Sequence, residues 1–247
     1  MECIVITVNN LTVKFDDKMV LDDVSCQIEK GKITSIIGKS GMGKSVLMKT
    51  VLGLLEFNAG EIYVDHLSIK TDIDKIRKKT AILFQNSALF DSLSVFQNIS
   101  FPLFEHTKLS YERIRDKVEE TIKLVNLPDI LDAFPAELSG GMRKRVALAR
   151  AIIQEPEYLI YDEPTTGLDP VTGDDIIHLI AKVHQALGRT SIVITHDAEC
   201  IKTLTENLIM IDNKDIIFCD NFEKFMQFEH PTAISFKQHI FRNKENL

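Results

Sequence analysis

Eight residues constrain this chain more than any others. Gly38-Lys39-Ser40-Gly41-Met42-Gly43-Lys44-Ser45 follows the apolar run Ile33-Thr34-Ser35-Ile36-Ile37 and precedes Val46-Leu47-Met48-Lys49-Thr50-Val51-Leu52. The first run has the composition of a buried strand and the second reads as a helix. A strand, a glycine-rich turn and a helix N-terminus in that order make an anion-binding unit. Glycines let successive backbone N–H groups turn inward, and the helix end adds the positive end of its dipole. In this spacing Lys44 reaches the β- and γ-phosphates of a nucleotide, and the Ser45 hydroxyl ligates Mg2+. A glycine-rich turn with an incidental lysine is the alternative, and the flanking strand and helix weigh against it.

The chain has 247 residues, enough for one large α/β domain or two small ones. Its net charge of −7 argues against a nucleic-acid-wrapping surface, so no nucleic-acid partner is expected. Two basic clusters, Lys75-Ile76-Arg77-Lys78-Lys79 and Arg143-Lys144-Arg145, read as solvated helix faces. Cys3, Cys26, Cys200 and Cys219 form no CxxC pair, which suggests neither a metal site nor a disulfide framework and fits a reducing cytosol. The start, Met1-Glu2-Cys3-Ile4-Val5, lacks the basic segment of a secretory signal. No apolar run approaches the roughly 18 residues of a membrane-spanning helix. A membrane role is therefore expected to run through a partner.

Strands are expected at 4–8, 11–15 and about 20–28, separated by the turn signals Asn9-Asn10 and Asp16-Asp17, and again at 61–64 and 80–84. Residues 110–154 change character. Val118, Ile122 and Val125 keep helical spacing, Pro128 and Pro135 punctuate, and 146–153 make a second helix. A strand follows at 158–161, then a helix with Ile176, Ile180, Val183 and Leu187 on one face. A strand at 191–195, a helix near 197–205, strands at 207–212 and 215–219 and closing helices complete the pattern, with 243–247 frayed. The expectation is one domain: an α/β core with a β subdomain over about 1–109 and 155–220, a helical subdomain over about 110–154, and a helical tail over about 221–247.

Tyr158-Leu159-Ile160-Tyr161 runs into Asp162-Glu163-Pro164. Ligands of open parallel sheets sit beyond the carboxyl ends of strands, where these two acids fall. Asp162 is suited to hold Mg2+ through its water shell, and Glu163 to polarise an attacking water; an acidic turn leaving a strand is the plainer reading. Leu138-Ser139-Gly140-Gly141-Met142 opens another helix. Ser139 is a good N-cap, but two glycines weaken a first turn and offer instead close approach of backbone N–H groups to an anion. The chain thus carries two anion sites, and a single nucleotide does not obviously need both.

In this order the motifs resemble the ATP-binding-cassette (ABC) ATPases over roughly residues 4–220. Residues 38–45 match the family's Walker A loop, Leu138 to Met142 its signature, and Asp162 and Glu163 its Walker B aspartate and catalytic glutamate. Gln85 is similar to the Q-loop glutamine, Gly167-Leu168-Asp169 to the D-loop, His196 to the switch histidine, and Phe15 to the aromatic residue that stacks on adenine. The resemblance implies an α/β P-loop NTPase with an N-terminal antiparallel β subdomain and an inserted helical subdomain. It implies ATP hydrolysis, with Gly38, Lys39, Ser40, Gly41, Met42, Gly43, Lys44 and Ser45 around the phosphates. Mg2+ would be held by Ser45, Gln85 and, through water, Asp162; Glu163, His196 and Gln85 would serve catalysis. It also explains two anion sites. Two copies pair head to tail, so Ser139, Gly140, Gly141 and Met142 of one cap the γ-phosphate on the other, with Asp169 at the junction. Met142 replaces the usual Gln, and a thioether lacks the amide's hydrogen bonds. Other readings stay open: Asp169 before Pro170 is a good helix start, His196 an ordinary surface residue, Phe15 a core residue.

Five of the 14 phenylalanines, Phe84, Phe90, Phe96, Phe101 and Phe104, cluster from the end of the expected strand 80–84 onward. That density suits an apolar groove receiving a partner's helix, and in the family this region meets the membrane subunit. Gln85-Asn86-Ser87-Ala88-Leu89-Phe90, Pro102-Leu103-Phe104-Glu105-His106-Thr107 and the Met-ending signature resemble the Mla/Mce-type phospholipid-transport ATPases. The resemblance implies a homodimer on the cytoplasmic face of the inner membrane, bound to an integral membrane permease dimer. An MCE-domain periplasmic protein and a small cytoplasmic regulator are further implied partners. The alternatives are the ATPase of another importer or lipoprotein exporter, or a soluble non-transport ABC protein.

Overall fold

The computed structural model describes residues 3–16 and 18–241. Asp17 of the expected turn and the 243–247 tail lie outside the described residues. The chain forms two compact units, one of residues 1–78 with 192–247 and one of residues 79–191.

The first unit opens with β1 (Ile4–Phe15) and β2 (Lys18–Glu29), an antiparallel pair. β1 runs unbroken through Asn9-Asn10, where a turn was expected. Asn10 takes φ 48° and the register slips between Val8↔Cys26 and Leu11↔Val24, so the pair is a β-bulge. Asn-Asn tolerates positive φ in either setting; here the Asn10 N–H is satisfied by Ser25 Oγ at 2.9 Å, which lets the strand continue. β3 (Ile33–Ile37) is buried along its whole length, as its composition requires, and leads to α1 (Lys44–Val51). β4 (Ala59–Val64) and β5 (Leu67–Ser68) complete a four-stranded sheet in the order β2-β1-β4-β5. In α2 (Ile73–Lys79) Ile76 is the buried residue and Lys75, Arg77 and Lys78 are exposed, the solvated face expected of that cluster.

The second unit starts at β6 (Thr80–Leu83), followed by α3 (Val95–His106), α4 (Tyr111–Leu124), a 3-10 turn at Pro135–Glu137 and α5 (Gly140–Ile152). β7 (Tyr158–Asp162) and α6 (Pro170–Leu187) follow. β6 and β7 are parallel, paired from Thr80↔Tyr158 to Leu83↔Tyr161. Each long helix begins on a side chain that accepts from its first turn: Ser94, Ser110, Ser139 and Asp169. Ser94 and Gln97 form a reciprocal capping box at α3. Ile114, Val118 and Ile122 give α4 its buried stripe, whereas α5 is buried on several sides through Val146, Ala147, Leu148 and Ala149.

β8 (Thr190–Ile194) returns the chain to the first unit, where α7 (Ala198–Leu204), β9 (Asn207–Asp212), β10 (Asp215–Asn221), α8 (Phe222–Gln227) and α9 (Pro231–Phe241) follow. β9 lies parallel to β3 and turns into antiparallel β10 through Asn213-Lys214, both at positive φ, the twist a two-residue hairpin favours. α8 and α9 cover this sheet, with Phe225, Ala233 and Ile240 packed against Ile37, Leu208 and Met210. Lys237 on α9 donates to the carbonyls of Phe225, Met226 and Phe228 at the end of α8. Among the described residues no helix is long and apolar enough to cross a membrane.

The bulge in β1 dictates a glycine opposite it. A Cβ on Gly60 would stand 2.6 Å from the carbonyl oxygens of both Asn9 and Asn10, and its φ is 101°. Gly60→Ala is expected to cost at least about 2 kcal/mol, read as a lowered urea midpoint with unchanged slope. An unchanged midpoint would show that the bulge does not crowd this site.

Candidate active site

In the first unit the glycine-rich loop leaves the end of β3 beside β9. Gly38 sits so close to the Ile211 carbonyl oxygen that a Cβ would collide with it, and a Cβ on Gly43 would press on Leu21 and Val20. Gly38, Gly41 and Gly43 have φ of 147°, 77° and 96°, which frees their N–H groups to turn toward the loop's interior. Lys44 is only 8% exposed, and its Nζ donates to the Gly38 and Lys39 carbonyls at 2.9 and 3.1 Å. The loop is therefore curled around its own lysine. Gly43 brings no capping side chain to α1, and no acid stands in the first turn, so the helix end keeps its positive character. Lys39, Ser40 and Gly41 form the exposed rim, while Met42 and Ser45 are half-buried.

Two further predicted residues lie in this unit. Phe15, at the end of β1, is 43% exposed, which removes the core-residue reading and leaves its ring on the surface. His196 is exposed just past β8, in a turn fixed on both sides. Thr195 Oγ1 accepts from the Asp197 N–H at 3.0 Å, and Asp197 caps α7 by accepting from the N–H groups of Glu199 and Cys200.

In the second unit Asp162 ends β7 and Glu163 follows it, both half-buried. The register Leu83↔Tyr161 sets Gln85 level with Glu163 at the same carboxyl edge of the parallel pair. Gln85 is exposed there. Glu163 adopts φ 49°, a left-handed conformation uncommon for a residue with a Cβ. Such backbone costs energy and persists where surroundings impose it.

The Arg143-Lys144-Arg145 cluster is not the solvated face expected. Arg143 is exposed, but its guanidinium donates to the Leu138 carbonyl at 2.6 Å, and half-buried Arg145 donates to the Val125 carbonyl at 3.0 Å. Lys144 is buried and donates to the Gln85 carbonyl at 2.5 Å. The reason is that α5 is surrounded, so its charged residues must reach carbonyls at its margins.

Ser139 caps α5 by accepting from the Met142 N–H at 3.2 Å, so its side chain lies at the helix mouth. Gly140 and Gly141 occupy the first turn, Gly140 half-buried and Gly141 buried, and the structure gives a packing reason for both. A Cβ on Gly141 would stand 2.5 Å from Thr172 Cγ2, and one on Gly140 3.0 Å from Leu168 Cδ2. Asp169 caps α6, accepting from Thr172 Oγ1 at 2.6 Å and from the Thr172 N–H at 3.1 Å; these bonds hold its carboxyl below the usual carboxylate range. Thr172 therefore links Asp169 to the glycine turn of α5.

The same unit displays the expected aromatic surface. Phe84, Phe90, Phe101 and Phe104 are exposed, Phe90 and Phe101 meet at 5.0 Å between centroids, and Phe96 packs on Tyr111 at 5.8 Å. A groove of about 800 Å³ lies between Phe96, Phe104, Tyr111, Leu131 and Phe134. Its upper loop hangs on Asn98, a residue the sequence reading missed. Fully buried, Asn98 accepts from the Phe90 N–H and donates to the carbonyls of Phe90, Leu93 and Ser94. The Ser94-x-x-Gln97 capping box was the available signal that a helix starts here with Asn98 in its first turn.

Comparison with known proteins extends this geometry. A family model described as ABC transporter matches residues 21–166, more than half of the chain. The intermembrane phospholipid transport system ATP-binding protein MlaF of Haemophilus influenzae is 38% identical over 235 residues, covering 94% of this chain and 89% of that protein. The probable ribonucleotide transport ATP-binding protein mkl of Mycobacterium bovis is 36% identical, covering 94% of this chain and 66% of that protein. Among solved structures, the dimeric post-hydrolysis state of the ATP-binding cassette MJ0796 bound to ADP and Pi superposes with a TM-score of 0.79 at 29% identity, over 87% of this chain and 98% of that one. With an antiparallel sheet, a glycine loop between β3 and α1 and a helical layer after β6, the chain belongs to the ABC transporter family and is an ABC-type ATPase that binds ATP.

Proposed function

We propose that this chain is the ATP-hydrolysing motor of a membrane transporter that moves phospholipid between membranes. The cargo reading is carried by the 38% identity to MlaF along nearly the whole of both chains. In this reading Gly38 to Ser45 hold the phosphates, Lys44 turns from the Gly38 and Lys39 carbonyls to the β- and γ-phosphates, and Phe15 stacks on adenine. Glu163 takes a proton from the attacking water, with Gln85 placing that water and His196 donating to the γ-phosphate. Ser45, Gln85 and Asp162 offer the hard oxygen donors that suit Mg2+, and the ion would neutralise charge on the phosphates. A second copy supplies Ser139, Gly140, Gly141 and Met142, whose open helix mouth fits a γ-phosphate, with Asp169 near the junction.

The exposed face of Phe84, Phe90, Phe101 and Phe104 receives a helix of an integral permease dimer at the cytoplasmic face of the inner membrane. An exposed aromatic cluster of this density is what a helix-binding surface requires. An MCE-domain periplasmic protein and a small cytoplasmic regulator complete the assembly. Likeness to mkl keeps a second cargo, a ribonucleotide, in view.

Glu163→Gln should keep ATP affinity within about threefold while turnover falls at least about 100-fold. ATP-dependent dimers should then accumulate in size-exclusion chromatography; wild-type turnover would refute Glu163 as the base. Lys44→Ala should weaken binding of a fluorescent ATP analogue by at least about tenfold, and unchanged binding would remove the loop from the site. Phe90→Ser combined with Phe101→Ser should abolish co-purification of the permease while the isolated chain keeps its ATPase rate. Mass spectrometry of the intact complex should find phospholipid; a nucleoside phosphate in its place would transfer the motor to the second cargo.

A further inference from the structure

Lys144 presents a problem that hydrolysis as described does not use. At 4% exposure it is more deeply buried than Lys44, and a lysine at that depth is rare unless something offsets its charge. Its Nζ donates to the main-chain carbonyl of Gln85 at 2.5 Å, a neutral acceptor that does not cancel a positive charge. Gln85 stands level with Glu163 in the β6–β7 register, so this bond sets the ammonium at the carboxyl edge where Asp162 and Glu163 leave β7. If α5 needed only to fill this space, an uncharged side chain of similar length would do so without desolvating an ammonium.

We infer that Lys144 is a positioning residue for ATP hydrolysis, its buried ammonium acting as counter-charge to Asp162 and Glu163 while its hydrogen bond ties the Gln85 backbone to them. The inference rests on the reading of Glu163 as the base. Two acids leaving one strand repel each other, and a nearby fixed cation limits that repulsion. Gln85 also begins the segment that runs into Ser87, Phe90 and the aromatic surface. Ser87 is held by the Arg150 guanidinium, which donates to its carbonyl at 2.9 Å. α5 thus grips this segment at two points nearly two turns apart, Lys144 at Gln85 and Arg150 at Ser87. A displacement of the aromatic loop pulls on the same ammonium that holds the Gln85 backbone.

Lys144→Met and Lys144→Arg test this, because a packing role and a charge role predict opposite results. Melting of the nucleotide-free protein should be no lower for Lys144→Met than for wild type, since a buried charge has been replaced by an apolar chain of similar length. Its kcat should nevertheless fall about tenfold to 100-fold, with ATP affinity changed less than about threefold. Lys144→Arg, which keeps the charge, should recover at least about a third of wild-type kcat. Wild-type kcat in Lys144→Met would overturn the inference. So would Lys144→Arg no more active than Lys144→Met, or a Lys144→Met melting temperature that falls along with kcat. Wild-type turnover in Glu163→Gln would instead remove the reading of the base on which the inference stands.

Discussion

Close approach of the main chain to its surroundings imposes a steric condition from which much of this structure follows: where the backbone must pass very near another group, no side chain can stand between. At Gly38 that closeness is first to the protein itself, since the Ile211 carbonyl occupies the space of a Cβ. The loop then curls until the carbonyls of Gly38 and Lys39 hold the Lys44 ammonium. Burial of β3 and its pairing with β9 supply the rigid edge from which the loop can make this turn.

The second glycine pair obeys the same condition for another reason. Gly140 and Gly141 admit Leu168 and Thr172 where side chains would otherwise clash. Thr172 is engaged by Asp169, whose carboxylate accepts from its hydroxyl and its amide. The cap of α6 and the first turn of α5 are consequently one packed arrangement within the second unit. A substitution at Thr172 would disturb Asp169 and Gly141 together, so effects there should not be additive.

Legibility in the sequence followed the range of the forces involved. Residues 38–45 were readable as a strand-to-helix turn because strand, turn and helix are consecutive. Asp169 before Pro170 was readable as a helix start for the same reason, and the structure bears that part out. Asn9-Asn10 was not, because an asparagine pair at positive φ serves a turn and a bulge alike. Only the partner strand, through Ser25 and the register with β2, makes it a bulge. Arg143-Lys144-Arg145 misled because three consecutive charges normally mark water, whereas α5 is enclosed by other elements and its cations end on carbonyls. Asn98 gave no signal of its own: a buried amide that organises a loop looks like any polar residue in a helix.

What the sequence determined alone is a set of local features, namely a glycine-rich strand-to-helix turn with its lysine, paired acids at a strand's end and two glycines in a helix's first turn, since each is a short stretch whose backbone propensities suffice. What tertiary structure decided is which polar groups are denied water. Burial of Lys144, enclosure of Asn98, the exposure of Phe15 and of the aromatic face depend on what packs beside them. Desolvation is a property of neighbours distant in the chain, and no local pattern encodes it.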